Sequence, residues 1–258
     1  MIDYPATIAE VNRVEPVPRR IRAFLAGDTV LDTTRALYVW EQVSYPQYYI
    51  PVEDVRGGAL LPEGQVRQSR QGTVEMHALQ TGSAHRAGAA RVVRHSPVDG
   101  LAGTVRFEWA ALDAWFEEDE RVFVHPRSPY VRVDALRSTR HVRVEIDGVT
   151  LAESSSPVLV FETGLPTRYY FNRTEVALDR LSATETVTGC PYKGFTGGYW
   201  SAQVGETLHR DIAWSYAFPS HQLLPIAGLI AFYNERVDLT VGDLTLERPV
   251  NHFSRSGH

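Results

Sequence analysis

Cys190 is the only cysteine of the 258-residue chain, and Lys193 is the only lysine among its twenty-six cationic side chains. They stand three residues apart in Gly189-Cys190-Pro191-Tyr192-Lys193-Gly194. A thiol attacks as its thiolate, and an amine attacks once it has lost its proton, so the pair could serve nucleophilic or acid/base chemistry. The lysine is not equivalent to the arginines that hold every other cationic position. Its ammonium is a compact point charge that can give up a proton, whereas guanidinium is planar and always charged. If the Pro191 turn brings the ammonium to the sulfur, the positive charge would stabilise thiolate. A purely structural account also fits, since Pro191 suits the second position of a turn, Gly194 its exit, and a lone cysteine is often a small buried hydrophobe.

Around this pair the sequence offers a set of candidate binding residues: Glu162, Arg168, Tyr170, Tyr192, Lys193, Trp200, Trp214 and Tyr216. Arg168 and Lys193 would supply charge for a carboxylate or phosphate, and the aromatic side chains flat apolar walls with polar tips. The structural alternative places the tryptophans in the core and pairs Glu162 with Arg168 as an internal salt bridge. Three functions follow. The first is a module that binds a small anionic or aromatic metabolite in the second half of the chain. The second is an enzyme with Cys190 or Lys193 as nucleophile or acid/base, and the third is a protein-interaction platform marked by a large exposed apolar patch.

Familiar catalytic templates are missing. The chain has no HExxH, no GxSxG elbow, no GxGxxG turn and no GxxxxGK[ST] phosphate loop. No Cys/His pattern with zinc spacing occurs among the nine histidines, so no metal or cofactor is expected. The acidic run Glu117-Glu118-Asp119-Glu120 reads as a solvated helix end rather than a metal site, because adjacent helical carboxylates diverge. A formal charge of -5 argues against a nucleic-acid surface. The first residues carry no basic stretch leading into an apolar one, and nowhere do eighteen apolar residues run together, which gives the expectation of a cytoplasmic protein without membrane contact.

The elements that would position these residues are written twice. At an offset of 121, Ile21-Arg22 matches Val142-Arg143, Gly27 matches Gly148, Glu41 matches Glu162, Tyr48-Tyr49 matches Tyr169-Tyr170, and Leu60 matches Leu181. The period-2 stretches Ile21 to Leu25 and Val142 to Ile146, each before a glycine turn, predict an opening hairpin in both copies. The short apolar runs Leu37 to Trp40 and Val158 to Phe161 predict buried strands, each followed by a glutamate. Gly205-Glu206 predicts a two-residue hairpin between Trp200 to Val204 and Thr207 to Tyr216. One helix is expected to close each copy, from Leu223, Ile226, Ile230, Tyr233 and Val237 in the second and from Trp109, Leu112, Trp115 and Phe116 in the first. The expected fold class is thus mainly β (α+β), two pseudo-repeated antiparallel sheet lobes with one helix each. The expected divisions are an N-terminal extension over 1–16, a first lobe with its post-helix tail over 17–139, and a second lobe with a C-terminal tail over 140–258. Two proline-bearing tails, His125 to Tyr130 and Arg248 to Phe253, look like one repeated element.

In the direct register Cys190 aligns with Ser69, Lys193 with Gly72, Trp200 with Leu79, Trp214 with Val93 and Arg168 with Gln47. The second lobe is therefore expected to carry the site.

The stretches Trp115-Phe116-Glu117-Glu118-Asp119-Glu120, His125-Pro126-Arg127-Ser128-Pro129-Tyr130, Phe161-Glu162-Thr163-Gly164-Leu165-Pro166-Thr167-Arg168-Tyr169-Tyr170, Cys190-Pro191-Tyr192-Lys193-Gly194 and Ala213-Trp214-Ser215-Tyr216 resemble a bacterial, archaeal and fungal family known as domain of unknown function 427. The resemblance covers nearly the whole chain as a tandem pair. It implies a mainly β fold of small twisted sheets related to the β-tent architecture. The family is also filed as nucleotidyltransferase-like, but the chain lacks the paired acidic residues and phosphate loop that such chemistry needs.

Overall fold

The computed structural model describes residues 9–250, which divide between Ser128 and Pro129 into two compact units. Each unit is a mainly β lobe built from a seven-stranded and a four-stranded sheet, with every named strand pairing antiparallel.

In the first lobe the large sheet runs in the order Val14–Pro16, Leu37–Val39, Gln47–Pro51, Thr104–Phe107, Ala84–His95, Gly72–Thr81, Leu60–Ser69. Its small sheet runs Glu120–Val122, Ala114–Glu117, Ile21–Leu25, Asp28–Thr33. The second lobe repeats both orders. Its large sheet is Val133–Arg137, Val158–Glu162, Arg168–Phe171, Ile230–Phe232, Thr207–Ser215, Gly198–Val204, Leu181–Thr184, and its small sheet is Leu244–Leu246, Asp238–Val241, Val142–Ile146, Val149–Ser154.

The opening hairpins form as their alternation requires. In Ile21–Leu25 and Val142–Ile146 alternate residues are fully buried. The turns place Ala26-Gly27 and Asp147-Gly148 at positive φ, the twist that suits a two-residue hairpin. In the second lobe the core between the two sheets includes Val142, Val144, Leu151, Phe171, Ile212 and Phe232.

The closing helices are not there. His221–Ile226 is a six-residue 3-10 segment containing Pro225, and Ile230–Phe232 is a strand. Proline at the fifth position removes a donor, and Gly228 at φ +73° turns the chain away. The apolar run Ile230-Ala231-Phe232 is buried at every position because it lies in mid-sheet, a pattern that fits a covered strand as well as a helix. In the first lobe Trp109–Ala111 is a single 3-10 turn and Ala114–Glu117 a strand. The acidic run is accordingly no helix end. Glu117 is buried, and Glu118-Asp119 forms the turn of a hairpin into Glu120–Val122.

Val14–Pro16, expected in an extension, pairs with Leu37–Val39 of the first lobe. Val133–Arg137, expected in the first lobe's tail, pairs with Val158–Glu162 of the second. The comparison of the two proline-bearing tails falls partly outside the described residues, which end at Val250. Among the described residues no helix is long and apolar enough to cross a membrane.

Candidate functional site

The second lobe's large sheet has two different faces. One packs on the small sheet. The other buries Val158, Val160, Tyr170, Tyr199, Trp214, Tyr216 and Ala231 beneath Leu223 and Ile226 of the 3-10 segment. Period-2 alternation decides which candidate joins which face. Tyr199 points to the second face, so Trp200 points to the first, where it borders the inter-sheet core and lies 5.5 Å from the guanidinium carbon of Arg173. Trp200 is not part of the cluster.

The Cys190 turn is brought to this second face by a small hairpin, Gly189–Cys190 paired with Gly194–Phe195. The N–H of Lys193 donates to the carbonyl of Cys190 at 3.3 Å, with Pro191 in the second turn position. Two bonds from Ser220 hold the turn from outside: its amide donates to the Lys193 carbonyl at 3.0 Å, and its hydroxyl donates to the carbonyl of Tyr192. Tyr192 is half-buried at the rim. Gly194 takes φ +94°, and a side chain there would press on the Phe218 carbonyl at 3.4 Å.

Lys193 is 8% exposed and points inward. Its ammonium donates to Oε2 of Glu162, whose side chain is 10% exposed, and lies 3.8 Å from Sγ of Cys190. Burial alone would lower its pKa, but the Glu162 carboxylate, with Cys190 and Tyr170 adding to it, holds it raised. Cys190 itself is half-buried.

Arg168 is not the partner of Glu162. Two of its N–H groups donate to the two oxygens of Glu235 at 2.6 and 2.7 Å, a bidentate pair. The guanidinium carbon sits 5.7 Å from the Trp214 ring centre and 5.8 Å from that of Tyr233. Trp214 and Tyr233 are themselves 4.4 Å apart. Tyr170, fully buried, accepts the Trp214 indole N–H at 3.3 Å and is pushed up to about 12 by burial. Burial likewise raises Tyr216. Tyr199 and Tyr233 share a hydroxyl contact of 2.6 Å.

The structure therefore brings together Glu162, Arg168, Tyr170, Cys190, Tyr192, Lys193, Trp214 and Tyr216, and it adds Tyr199, Tyr233 and Glu235. Tyr233 falls on the apolar stripe from which the sequence predicts a helix. Its strand-end position was hidden by the same period error that produced the helix. Glu235 carried no signal in sequence, since a lone glutamate in a loop resembles any solvated charge.

The direct repeat register slips by two residues within the hairpins. Pairing of Leu60 with Leu79 and of Leu181 with Ala202 makes His77, not Leu79, the counterpart of Trp200. By the same ladder Arg91, not Val93, is the counterpart of Trp214.

A family profile described as Domain of unknown function (DUF427) matches residues 13–118 and again 134–243. Among curated proteins no relative is found. Its two matched segments together span most of the sequence, and the chain belongs to the DUF427 family in a tandem two-copy form.

Proposed function

We propose that the second lobe binds a small aromatic metabolite of little net charge against the Cys190–Lys193 turn. The observation that carries this reading is the pairing of charges. Among the described residues Lys193 is matched by Glu162 and Arg168 by Glu235, so their charges pair off within an aromatic surround. A phosphate or carboxylate would have to displace a nearly buried carboxylate from its cation, and stripping a buried charge of its partner costs roughly 3–5 kcal/mol. That weighs against the anionic ligand that Arg168 and Lys193 suggest when read as free charges. Flat apolar surface carries no such cost. The segments beside the turn support the same reading, for Phe195 is 49% and Phe218 91% exposed.

A second reading is cysteine chemistry, favoured by one distance. The 3.8 Å between Nζ and Sγ places a fixed positive charge beside the one nucleophile of the site.

The test is a thermal-shift survey of the full chain against neutral aromatic and anionic metabolites, since a ligand of the native state raises stability by mass action. Neutral aromatic compounds are expected to raise Tm, and Lys193→Arg, which changes reach and hydration but keeps charge, is expected to weaken each of them. Hits whose affinity is unchanged in a folded Lys193→Arg variant would count against the site.

A further inference from the structure

The first lobe holds a second charge cluster, built on a buried carboxylate, whose charges do not balance. Glu117 sits on the inner face of the small sheet with its side chain 1% exposed. Glu117 pairs with Ile21, and Val241 pairs with Val142, its match in the repeat, so the corresponding residue of the second lobe is Val241. Packing alone is satisfied there by a valine.

Oε1 of Glu117 accepts the Tyr48 hydroxyl at 2.6 Å, and Oε2 accepts N–H groups from both Arg19 and Arg127, the latter at 2.8 Å. Two guanidiniums thus share one carboxylate. Among the described residues neither has another acidic partner, which leaves one positive charge in excess. The other titratable neighbours do not cancel it. Tyr38 is raised to about 12 by burial, Tyr48 is also raised, and His125, two residues before Arg127, is lowered by burial, so all three are uncharged near neutral pH. The buried Nε of Arg127 has no hydrogen-bond acceptor. Buried donors are nearly always satisfied, so an orphan beside a surplus charge points to an absent acceptor. Arg19, with its side chain 46% exposed, leaves the cluster open to solvent. A ring stack of Tyr45 on His125, with centres 3.5 Å apart, leads into the same segment.

We infer that Arg19 and Arg127 form a binding site for a small oxyanion in the first lobe. Glu117 is the internal counter-charge that holds the two guanidiniums together. The ligand group is a carboxylate or phosphate, the acceptors whose geometry guanidinium matches. The site is independent of the aromatic cluster of the second lobe and takes the charge class that cluster disfavours.

The experiment is calorimetric titration of the full chain with inorganic phosphate at constant ionic strength. Saturable binding at one site is expected. Arg19→Gln and Arg127→Gln should each weaken it by about tenfold or more. Arg121→Gln, an exposed arginine of the same lobe outside the cluster, should leave it unchanged. Arg19 is half-exposed, so its variant keeps the test open if Arg127→Gln does not fold. The absence of saturable phosphate binding, or binding that a folded Arg19→Gln variant retains in full, would overturn the assignment.

Discussion

Lys193 and Arg106 neutralise the same glutamate of the repeat, one from a turn and the other from a strand. In the second lobe Glu162 takes the Lys193 ammonium from the turn. In the first lobe Glu41 lies 3.3 Å from Nε of Arg106, a strand residue, and accepts the Tyr49 hydroxyl at 2.8 Å. The ladder makes Ala231 the counterpart of Arg106. With its cation on the turn, the second lobe has an alanine at that strand position, and Trp214 stands where the first lobe has Arg91. One lobe presents a network of Arg91, Arg106 and Glu108, and the other presents aromatic rings.

Glu162→Gln leaves Lys193 charged and without its carboxylate in a nearly buried position. A loss of roughly 3–5 kcal/mol in unfolding free energy is expected by urea titration, and the double variant Glu162→Gln, Lys193→Met should recover most of it. Equal loss in the single and double variants would mean that the pair is not what the charges are for.

The opening hairpins, the buried strands and the duplication were legible because period-2 burial and glycine turns are local signals. Ile21–Leu25 and Val142–Ile146 formed as their alternation predicts. The closing helices were not legible. Ile230-Ala231-Phe232 lies in mid-sheet and is apolar on both faces, so its sequence lacks the alternation that marks a strand. The unique Cys190 and Lys193 did come together at 3.8 Å, which turn chemistry made readable. Their long-range partners were not, since the pairing of Glu162 with Lys193 rather than Arg168 depends on the hairpin tip folding back over the sheet, and the matching tip of the first lobe, where Ser69 pairs with Gly72, carries no lysine.

Alkaline pH should unfold the protein. Lys193 has its pKa raised above 10.5 in the fold, so the stability it contributes is complete below that value and is lost as pH climbs through the folded one. Tyr38 and Tyr170 move from 10.0 to about 12, both by burial first, and the unfolded chain therefore releases their protons earlier than the folded one. Both effects have the same sign. The urea midpoint should hold steady to about pH 9 and fall beyond about pH 10. A midpoint that stays level to about pH 11 would contradict the burial of these groups.

Gly197→Ala tests how the turn is held. A methyl group there would lie 2.6 Å from the side chain and 2.9 Å from the backbone nitrogen of Ala217, and that loop runs on to Ser220, which bonds the turn. Backbone has little room to yield, so a loss of about 1–3 kcal/mol is expected in thermal or urea unfolding, together with faster alkylation of Cys190 as the turn loosens. Unchanged stability and alkylation would show that Ala217 to Ser220 does not support the turn.

The central claim, that a ligand lies against the Cys190–Lys193 turn, is tested most directly by alkylation of the single thiol. Iodoacetamide modification of the folded chain is followed by mass spectrometry with and without each compound that raises Tm. Aromatic compounds bound at this face should slow modification of Cys190 in proportion to occupancy. Compounds that raise Tm yet leave the alkylation rate of Cys190 unchanged at saturation would place their site elsewhere and contradict the account.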